Sequence, residues 1–217
     1  MSRRADIVMI TYRSAGYIHL SLPRLLDTLG ANDRVWLWHN GDDEATIEAI
    51  RPFVADDRVA QFHHSRENVR LREPTNWLWQ NSRARFVSKV DDDCLVAPGW
   101  LDTFAAAHVA NPDFGVIASW RHPDEDFRPE LASRKIQEFA GGHSLMRNLW
   151  VQGSGYLAPR ALLEANGPLG ERESFTEYCI RAARAGAVNG FYYPFVPEEH
   201  MDDPRSAHTL IRTDQDL

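Results

Sequence analysis

The sequence lacks several features that would place it in particular protein classes. Its 217 residues include only two cysteines, Cys94 and Cys179, so we expect neither a disulfide framework nor a cysteine-rich zinc site. Basic residues do not predominate, because 24 lysines and arginines against 31 aspartates and glutamates give a formal net charge of −7. Without an overall positive field, the protein is a poor candidate for binding nucleic acid or an anionic membrane.

Long apolar segments and repeats are missing as well. No window contains the roughly eighteen uninterrupted apolar residues of a membrane span, and no apolar signal region precedes the first strand-like segment, Ala5–Thr11. The sequence also contains no internal repeat or low-complexity stretch. With 43% hydrophobic and 25% charged residues, the chain can bury a sizeable core. We therefore expect a soluble, cytoplasmic, globular protein.

Segments typical of strands and of helices alternate in the first half of the chain. Strands are predicted at residues 5–11, 34–39, 58–63, 86–90 and 114–119, and helices at residues 18–29, 44–53, 73–83 and 98–109. This alternation predicts an α/β fold in which helices flank a mostly parallel sheet. Ligands of such sheets bind beyond the carboxyl ends of the strands. Polar residues follow those ends: Thr11, Tyr12 and Arg13 after the first strand, residues 39–43 after the second, Glu67 and Asn68 after the third, and Asp91, Asp92 and Asp93 after the fourth.

The second half of the chain is less regular. Periodicity fades over residues 120–149, which we interpret as an excursion that need not form a core of its own. A glycine-interrupted strand is predicted at residues 149–158, helices at 159–166 and 174–185, and a strand at 188–193. From Glu198 onward the sequence is typical of a polar tail.

The three consecutive aspartates, Asp91, Asp92 and Asp93, stand at the end of a short apolar strand. Adjacent carboxylates repel one another, so the arrangement is favourable only where water or a cation balances their charge. Mg²⁺ and Mn²⁺ commonly bind one or two protein carboxylates together with substrate phosphates, which suggests a nucleoside-diphosphate substrate. The alternative is a solvated turn before the helix that Pro98 begins.

Several segments, taken in order, carry a resemblance to a known family. ADIVMITYRSAGYIHLSLPRLLDTL, VWLWHNGDDEAT, ENVRLREPTNWLWQNSRARFVSKVDDDCLVAPGWLD and GSGYLAPRALLEANGPLGE resemble segments of family 2 glycosyltransferases of the GT-A fold, and the third contains the DxD motif of that family. The resemblance implies one GT-A domain over residues 1–217. Its nucleotide-binding half covers about 1–119, the excursion about 120–149, and the acceptor side and tail about 150–217.

The resemblance also implies roles for individual residues. Asp91 and Asp93 hold the outer DxD positions, where one carboxylate binds Mn²⁺ or Mg²⁺ and the other holds the donor ribose or a metal-bound water; Asp92 is ambiguous. Residues that would contact the nucleotide are Thr11, Tyr12, Arg13, Asn40, Gly41, Asp42 and Asn68, with Arg70, Arg72 and Lys89 as phosphate ligands or plain surface charges. His200 is a candidate additional metal ligand, with Asp202 and Asp203 as nearby alternatives, or an exposed tail histidine.

The catalytic base is the point at which the sequence departs from the family. Its usual Glu-Asp pair is replaced by Ser174 and Phe175, although inverting transfer needs a base that removes the acceptor proton. Glu177, one helical turn further on, is the favoured candidate and Glu173 the second. Alternatively, Glu177 pairs with Arg181 at four residues' spacing, and Glu173 is a favourable first-turn charge.

Tryptophans offer a further interpretation. Trp77, Trp79, Trp120 and Trp150 are candidates for stacking on a sugar or acceptor, although such residues are more often core, as we expect for Trp36 and Trp38. We expect a metal-dependent inverting glycosyltransferase that uses a UDP-sugar, or else a GDP-sugar, and an unidentified acceptor hydroxyl. The alternatives are a nucleotidyltransferase of similar architecture and a noncatalytic protein that binds nucleotide sugars.

Overall fold

A nine-stranded sheet forms the centre of the structure, a computed structural model that describes residues 3–211. Its strands are β1 (Ala5–Thr11), β2 (Asp33–Asn40), β3 (Val59–Ser65), β4 (Phe86–Asp91), β6 (Phe114–Ala118), β7 (Ile136–Glu138), β8 (Ser144–Arg147), β9 (Tyr156–Pro159) and β10 (Val188–Tyr193). A separate two-stranded ribbon pairs β5 (Cys94–Val96) with β11 (Glu198–His200) in antiparallel fashion. The helices are α1 (Ala15–Asp27), α2 (Glu44–Ile50), α3 (Arg72–Asn81), α4 (Trp100–Ala110), α5 (Pro129–Ala132), α6 (Arg160–Asn166) and α7 (Phe175–Arg184).

The strands lie in the order β3-β2-β1-β4-β9-β6-β10-β8-β7. β1 to β4 are mutually parallel, and β6 pairs in parallel with β10. Of the nine, β9 and β8 run against the others, because each pairs in antiparallel fashion with both of its neighbours. The predicted α/β fold with a mostly parallel sheet is confirmed.

Helices cover both faces of the sheet. All seven residues of β1 are buried, and alternate side chains enter two different clusters. Ile7 and Met9 pack with α1 and α4 on one face, whereas Val8 and Ile10 pack with α3 and α7 on the other. A strand that is buried on both faces has a nearly continuous apolar sequence, so the parallel centre of the sheet is recognisable from the sequence.

The second half differs from the sequence-based expectation in three places. Residues 120–149 include β7 and β8, which extend the sheet beyond β10. The predicted strand at 149–158 is reduced to β9, and residues 148–155 form a loop. The polar tail contains β11, which pairs with β5 directly after the acidic cluster. Among residues 3–211, no helix combines the length and the apolar character needed to cross a membrane.

The tryptophans divide between core and surface. Trp36, Trp38 and Trp79 are at most 3% exposed and belong to the core, as predicted for the first two. Trp150 is 43% exposed, and Trp120 stacks on Phe195 with ring centroids 4.4 Å apart.

Candidate active site

A cleft of about 820 Å³ opens at the carboxyl ends of β1, β2 and β4. Parallel strands that end at one edge of a sheet bring distant parts of the sequence together there. The predicted site residues that line the cleft are Tyr12, Asn40, Asn68, Asp91, Asp92, Asp93, Glu173 and His200, together with Arg70, Arg72 and Lys89. Thr11, Arg13, Asp42 and Glu177 are not among its lining residues.

Asp92 faces the loop after β1. Its carboxylate accepts the Tyr12 backbone N–H at 2.9 Å, and its carbonyl oxygen accepts the Ser21 hydroxyl at 2.6 Å. Burial raises the pKa of Asp92 to about 7, with neighbouring Asp93 and Asp91 acting in the same direction. The middle aspartate, ambiguous from the sequence, therefore ties the turn after β4 to the loop that carries Tyr12.

Asp91 has a cationic partner. The buried ammonium of Lys89, 4% exposed, forms an ion pair with the Asp91 carboxylate, and the Asp91 backbone N–H donates to the Ser154 hydroxyl at 3.0 Å. Because Lys89 already balances the charge of Asp91, this carboxylate is less suited than Asp93 to be the main ligand of a cation.

Asp93 faces the tail. Its carbonyl oxygen accepts the Met201 N–H at 2.8 Å, which continues the β5–β11 ribbon. Burial raises the pKa of Asp93, and the nearby carboxylates of Asp202 and Asp91 raise it further. Asp93 thus lies in a local excess of negative charge that a cation would relieve.

His200 brings a nitrogen donor to this group of acids. Burial lowers the pKa of His200, but the carboxylates of Glu198 and Asp93 outweigh burial, so the net shift is upward. Its Nδ1 lies 3.9 Å from Asp202 Oδ1. Its Nε2 is buried and has no hydrogen-bond partner among residues 3–211. Carboxylate oxygens with one imidazole nitrogen are a donor set that fits Mn²⁺, so the residues present suit a divalent cation.

The loop after β1 contributes an exposed aromatic ring to the cleft. Tyr12 is 40% exposed, and the Arg13 guanidinium lies over this ring, 5.2 Å from its centroid. Arg13 has a positive φ of 51°, a conformation that non-glycine residues seldom adopt. The Tyr12 ring thus lies exposed at the edge of the cleft, where it is available for stacking. The Arg13 guanidinium over this ring does not line the cleft.

Three further residues predicted to contact the nucleotide have different surroundings: Thr11, Asn40 and Asp42. Thr11 is buried and its hydroxyl lies 2.9 Å from His39 Nδ1. It therefore connects the end of β1 to β2 beneath the loop that carries Tyr12. The Asn40 amide accepts the Val69 N–H at 3.0 Å and donates to the Arg70 carbonyl at 2.8 Å; it therefore shapes the loop that carries Asn68. Asp42 is exposed and lies away from the cleft lining.

The two candidate bases have different surroundings. Glu177 forms a capping box at the start of α7, in which its carboxylate accepts the Ser174 N–H at 2.7 Å. This contact lowers the pKa of Glu177. We expected Glu177 to face the cleft, but its carboxylate accepts hydrogen bonds at the N-terminus of its own helix.

Glu173 does line the cleft. Both of its carboxylate oxygens accept hydrogen bonds from the Arg181 guanidinium at 2.7 Å, which lowers the pKa of Glu173. The alternative that pairs Glu177 with Arg181 is wrong, because Arg181 pairs with Glu173.

Three residues that line or support the cleft were not predicted from the sequence: Arg121, Ser154 and Glu198. Arg121 lines the cleft beside His200 and Asp202, at the start of the stretch interpreted as an excursion. Ser154 and Glu198 are buried polar residues that contact each other. The one available signal was the position of Glu198, two residues before His200.

The fold and this cleft define an α/β protein with an acidic turn at the carboxyl edge of its sheet. A family model described as "Glycosyl transferase family 2" matches residues 6–163. The match covers well over half of the chain, so the chain belongs to this family. The family predicted from the sequence is confirmed.

Solved structures have the same fold. A mannosyltransferase from Pyrobaculum calidifontis, PcManGT, in complex with GDP-Man and Mn²⁺, aligns with a TM-score of 0.72 and 18% identity over 95% of this chain. Residues 1–349 of TarS from S. aureus, in complex with UDP-GlcNAc, align with a TM-score of 0.68 and 14% identity over 94% of it. This chain spans 59% and 62% of the lengths of those two chains. At these identities the likeness establishes the GT-A type fold.

Proposed function

We propose that this chain is a metal-dependent, inverting glycosyltransferase that moves a sugar from a nucleoside-diphosphate sugar to an acceptor hydroxyl. The observation that carries the proposal is the meeting of Asp93, Asp202 and His200 in one cleft beside the exposed Tyr12 ring. The solved complexes of PcManGT with GDP-Man and Mn²⁺ and of TarS with UDP-GlcNAc support it. UDP-sugars are the first donors to test and GDP-sugars the second.

The metal would be held by Asp93 and His200, with Asp202 beside them. A bound Mn²⁺ or Mg²⁺ would neutralise charge on the leaving nucleoside diphosphate. Asp91 is balanced by Lys89 and is better placed to accept a donor hydroxyl, while Asp92 holds the Tyr12 loop. This division assigns each of the three aspartates a different role.

Cationic side chains supply the remaining contacts for phosphate. Arg70, Arg72 and Arg121 line the cleft, whereas Lys89, which also lines it, is already paired with Asp91. Guanidinium groups match phosphate oxygens in a bidentate manner. The charged walls of the cleft therefore suit a diphosphate, although the whole protein carries a net charge of −7.

Glu173 is our candidate for the base. It lines the cleft, whereas Glu177 caps α7. A carboxylate with two oxygens has about four sites for accepting protons or hydrogen bonds. The bidentate pair with Arg181 and the Gly170 N–H at 2.9 Å occupy three of them, which leaves one site free on Glu173. The acceptor proton would move to this free site as the acceptor oxygen attacks.

A noncatalytic protein that binds nucleotide sugars is the second candidate. It is favoured by one observation, namely that both Glu173 and Glu177 are engaged in structural contacts. Product analysis separates the possibilities, because transfer releases a nucleoside diphosphate, nucleotidyl transfer releases pyrophosphate, and a binding protein releases neither.

The test is a panel of UDP- and GDP-sugars, each with and without Mn²⁺, followed by thermal unfolding and calorimetry. A ligand at a hundred times its Kd stabilises the folded state by about 2.7 kcal/mol. We expect Asp93→Asn to abolish Mn²⁺-dependent donor binding in a folded protein, whereas the exposed Asp57→Asn serves as a matched control. Unchanged Mn²⁺-dependent binding by Asp93→Asn would refute the metal assignment.

A further inference from the structure

Glu198 on β11 is a buried carboxylate with partners from another part of the chain. It is 2% exposed, and it accepts hydrogen bonds from Gln152 Nε2 at 2.5 Å and from the Ser154 hydroxyl at 2.6 Å. Gly155 permits this approach, because a Cβ at that position would lie 2.5 Å from the carboxylate and its φ is +57°. A buried ionisable side chain is costly unless such partners are present, so the loop at residues 148–155 is built around Glu198.

The same loop contacts the acidic turn. The Ser154 hydroxyl accepts the Asp91 N–H at 3.0 Å, and the Gly155 N–H donates to the Lys89 carbonyl at 2.9 Å. A continuous chain of contacts therefore runs from Asp91 through Ser154 to Glu198. It joins the end of β4 to the tail strand.

Glu198 also faces His200. Glu198 Oε2 lies 3.9 Å from His200 Nε2, and Asp202 Oδ1 lies 3.9 Å from His200 Nδ1. Nε2 is the buried nitrogen without a hydrogen-bond partner among the described residues. Asp202 lines the cleft and Glu198 does not. The two ring nitrogens of His200 thus face different surroundings. Nε2 faces the buried carboxylate of Glu198, and Nδ1 faces the cleft.

A neutral imidazole carries a hydrogen on one nitrogen and a lone pair on the other. Each ring nitrogen of His200 has a carboxylate at 3.9 Å, but Glu198 is buried and Asp202 is exposed to solvent. The less screened charge of Glu198 attracts the N–H more strongly, which leaves the lone pair of Nδ1 for a metal. Closing the 3.9 Å separation between His200 Nε2 and Glu198 Oε2 to a hydrogen bond requires a movement of about 1 Å. Binding of a cation at Nδ1 is the event that would favour this movement.

We propose that Glu198 is a positioning residue for the cation site. It holds the Nε2–H of His200, so that the Nδ1 lone pair faces the cation beside Asp93, and through Ser154 it fixes the turn that carries Asp91. The inference rests on the proposed function, because it requires that the cleft bind a divalent cation. It assigns a role to a tail residue that does not itself line the cleft.

The first measurement is Mn²⁺ affinity without any sugar donor, by calorimetry and by electron paramagnetic resonance of free Mn²⁺. Loss of a carboxylate that orients a ligating histidine typically weakens metal binding about 10- to 100-fold. We expect a loss of this size for Glu198→Gln and a smaller loss for Ser154→Ala. The control is Glu199→Gln on the same strand, because the Glu199 carboxylate forms hydrogen bonds with Ser206 and His208 instead. The Mn²⁺ affinity of this variant should equal that of the wild type.

The second measurement reports the tautomer of His200, which a purely structural role of Glu198 would not change. Nitrogen-15 spectra at pH 8, with the His200 signals assigned by their loss in His200→Gln, should show the Nε2–H form in the wild type. Glu198→Gln should shift the ring toward a mixture of tautomers. Because the wild-type measurement needs no variant at position 198, it stands even if Glu198→Gln folds poorly.

The outcomes separate this inference from the proposed function. If the wild type binds Mn²⁺ and Glu198→Gln binds it equally well with the same tautomer, the positioning role is refuted and the proposed function stands. If the wild type binds no Mn²⁺ even with nucleotide sugars present, both are refuted. The ligand atoms of Cys94, Glu198 and His200 lie within 4.8 Å of one another. A thiolate-to-metal band with Co²⁺ that Cys94→Ser removes would therefore place the cation among these three side chains and overturn the positioning role.

Discussion

His108 provides a quantitative test of how the sheet is packed. It lies on α4 and is 5% exposed, with its ring 5.4 Å from that of Phe86 and 6.2 Å from that of Phe114. Its Nε2 lies 3.1 Å from the carbonyl oxygen of Leu157 on β9, so the neutral ring donates there. Burial lowers the pKa of His108 to about 4, because the charged form cannot be hydrated in this apolar setting.

The sign of the pH dependence follows from the two pKa values. An unfolded histidine has a pKa near 6.5, so between pH 6.5 and pH 4 the unfolded state binds more protons than the folded state. Stability is therefore complete above pH 6.5 and is lost as the pH falls toward 4. Between pH 7 and pH 4.5 the loss from His108 alone should amount to about 2 kcal/mol in the free energy of unfolding.

The assay is urea unfolding, followed by tryptophan fluorescence, at several pH values between 7 and 4.5. In His108→Gln, the side-chain amide can still donate to Leu157 but does not titrate, so the free energy of unfolding should fall less steeply with acid, by about 2 kcal/mol over this range. His19→Gln on the exposed side of α1 should keep the wild-type slope. Parallel curves for the wild type and His108→Gln would refute a neutral, buried His108.

Two further predictions concern the base and a bulge in the sheet. Glu173→Gln should lower turnover about 100-fold or more with donor affinity unchanged, whereas the turnover of Glu177→Gln should stay within a few fold of the wild type because glutamine also completes a capping box. Steady-state kinetics and donor calorimetry on folded variants would check both expectations. A larger loss of turnover in Glu177→Gln than in Glu173→Gln would return the role of base to Glu177. Asn189→Leu should lower the free energy of unfolding by about 2–4 kcal/mol, since its side chain bonds Val116, Leu149 and Cys179 at the register shift of β10. Urea unfolding beside the exposed Asn81→Leu would measure it, and equal losses in the two variants would contradict this role.

The first half of the fold was predictable because local pattern and tertiary environment agree there. β1 has the predicted bounds, Ala5–Thr11, since a strand buried on both faces is largely apolar and only Asp6 and Thr11 are polar in this one. β7 and β8 were not predicted because each has only three or four residues, too few for a periodicity to show. The predicted strand at 149–158 was too long. Val151 is buried like a strand residue, but Gln152 and Ser154 bond Glu198 instead of a neighbouring strand.

The candidate site was predictable in position but not in partners. An acidic cluster after a buried strand must lie at the edge of a parallel sheet, and the structure places Asp91, Asp92 and Asp93 there. Which residues contact them depends on contacts far apart in sequence. Ser154 is 63 residues from Asp91, and Tyr12 is 80 residues from Asp92. No periodicity or short motif encodes such separations.

The three aspartates differ because the turn presents each to a different part of the chain. The Asp91 carboxylate pairs with Lys89 on its own strand, Asp92 accepts the Tyr12 N–H, and Asp93 lies beside the tail that carries His200 and Asp202. Like charges in adjacent positions can all persist only if their environments compensate them separately. Lys89 provides a cation for Asp91, and the raised pKa of about 7 provides a proton for Asp92 below neutral pH. Asp93 alone of the three lies where further carboxylates and an imidazole add donors, so the electrostatic argument that explains the cluster also selects the member that we propose as the metal ligand.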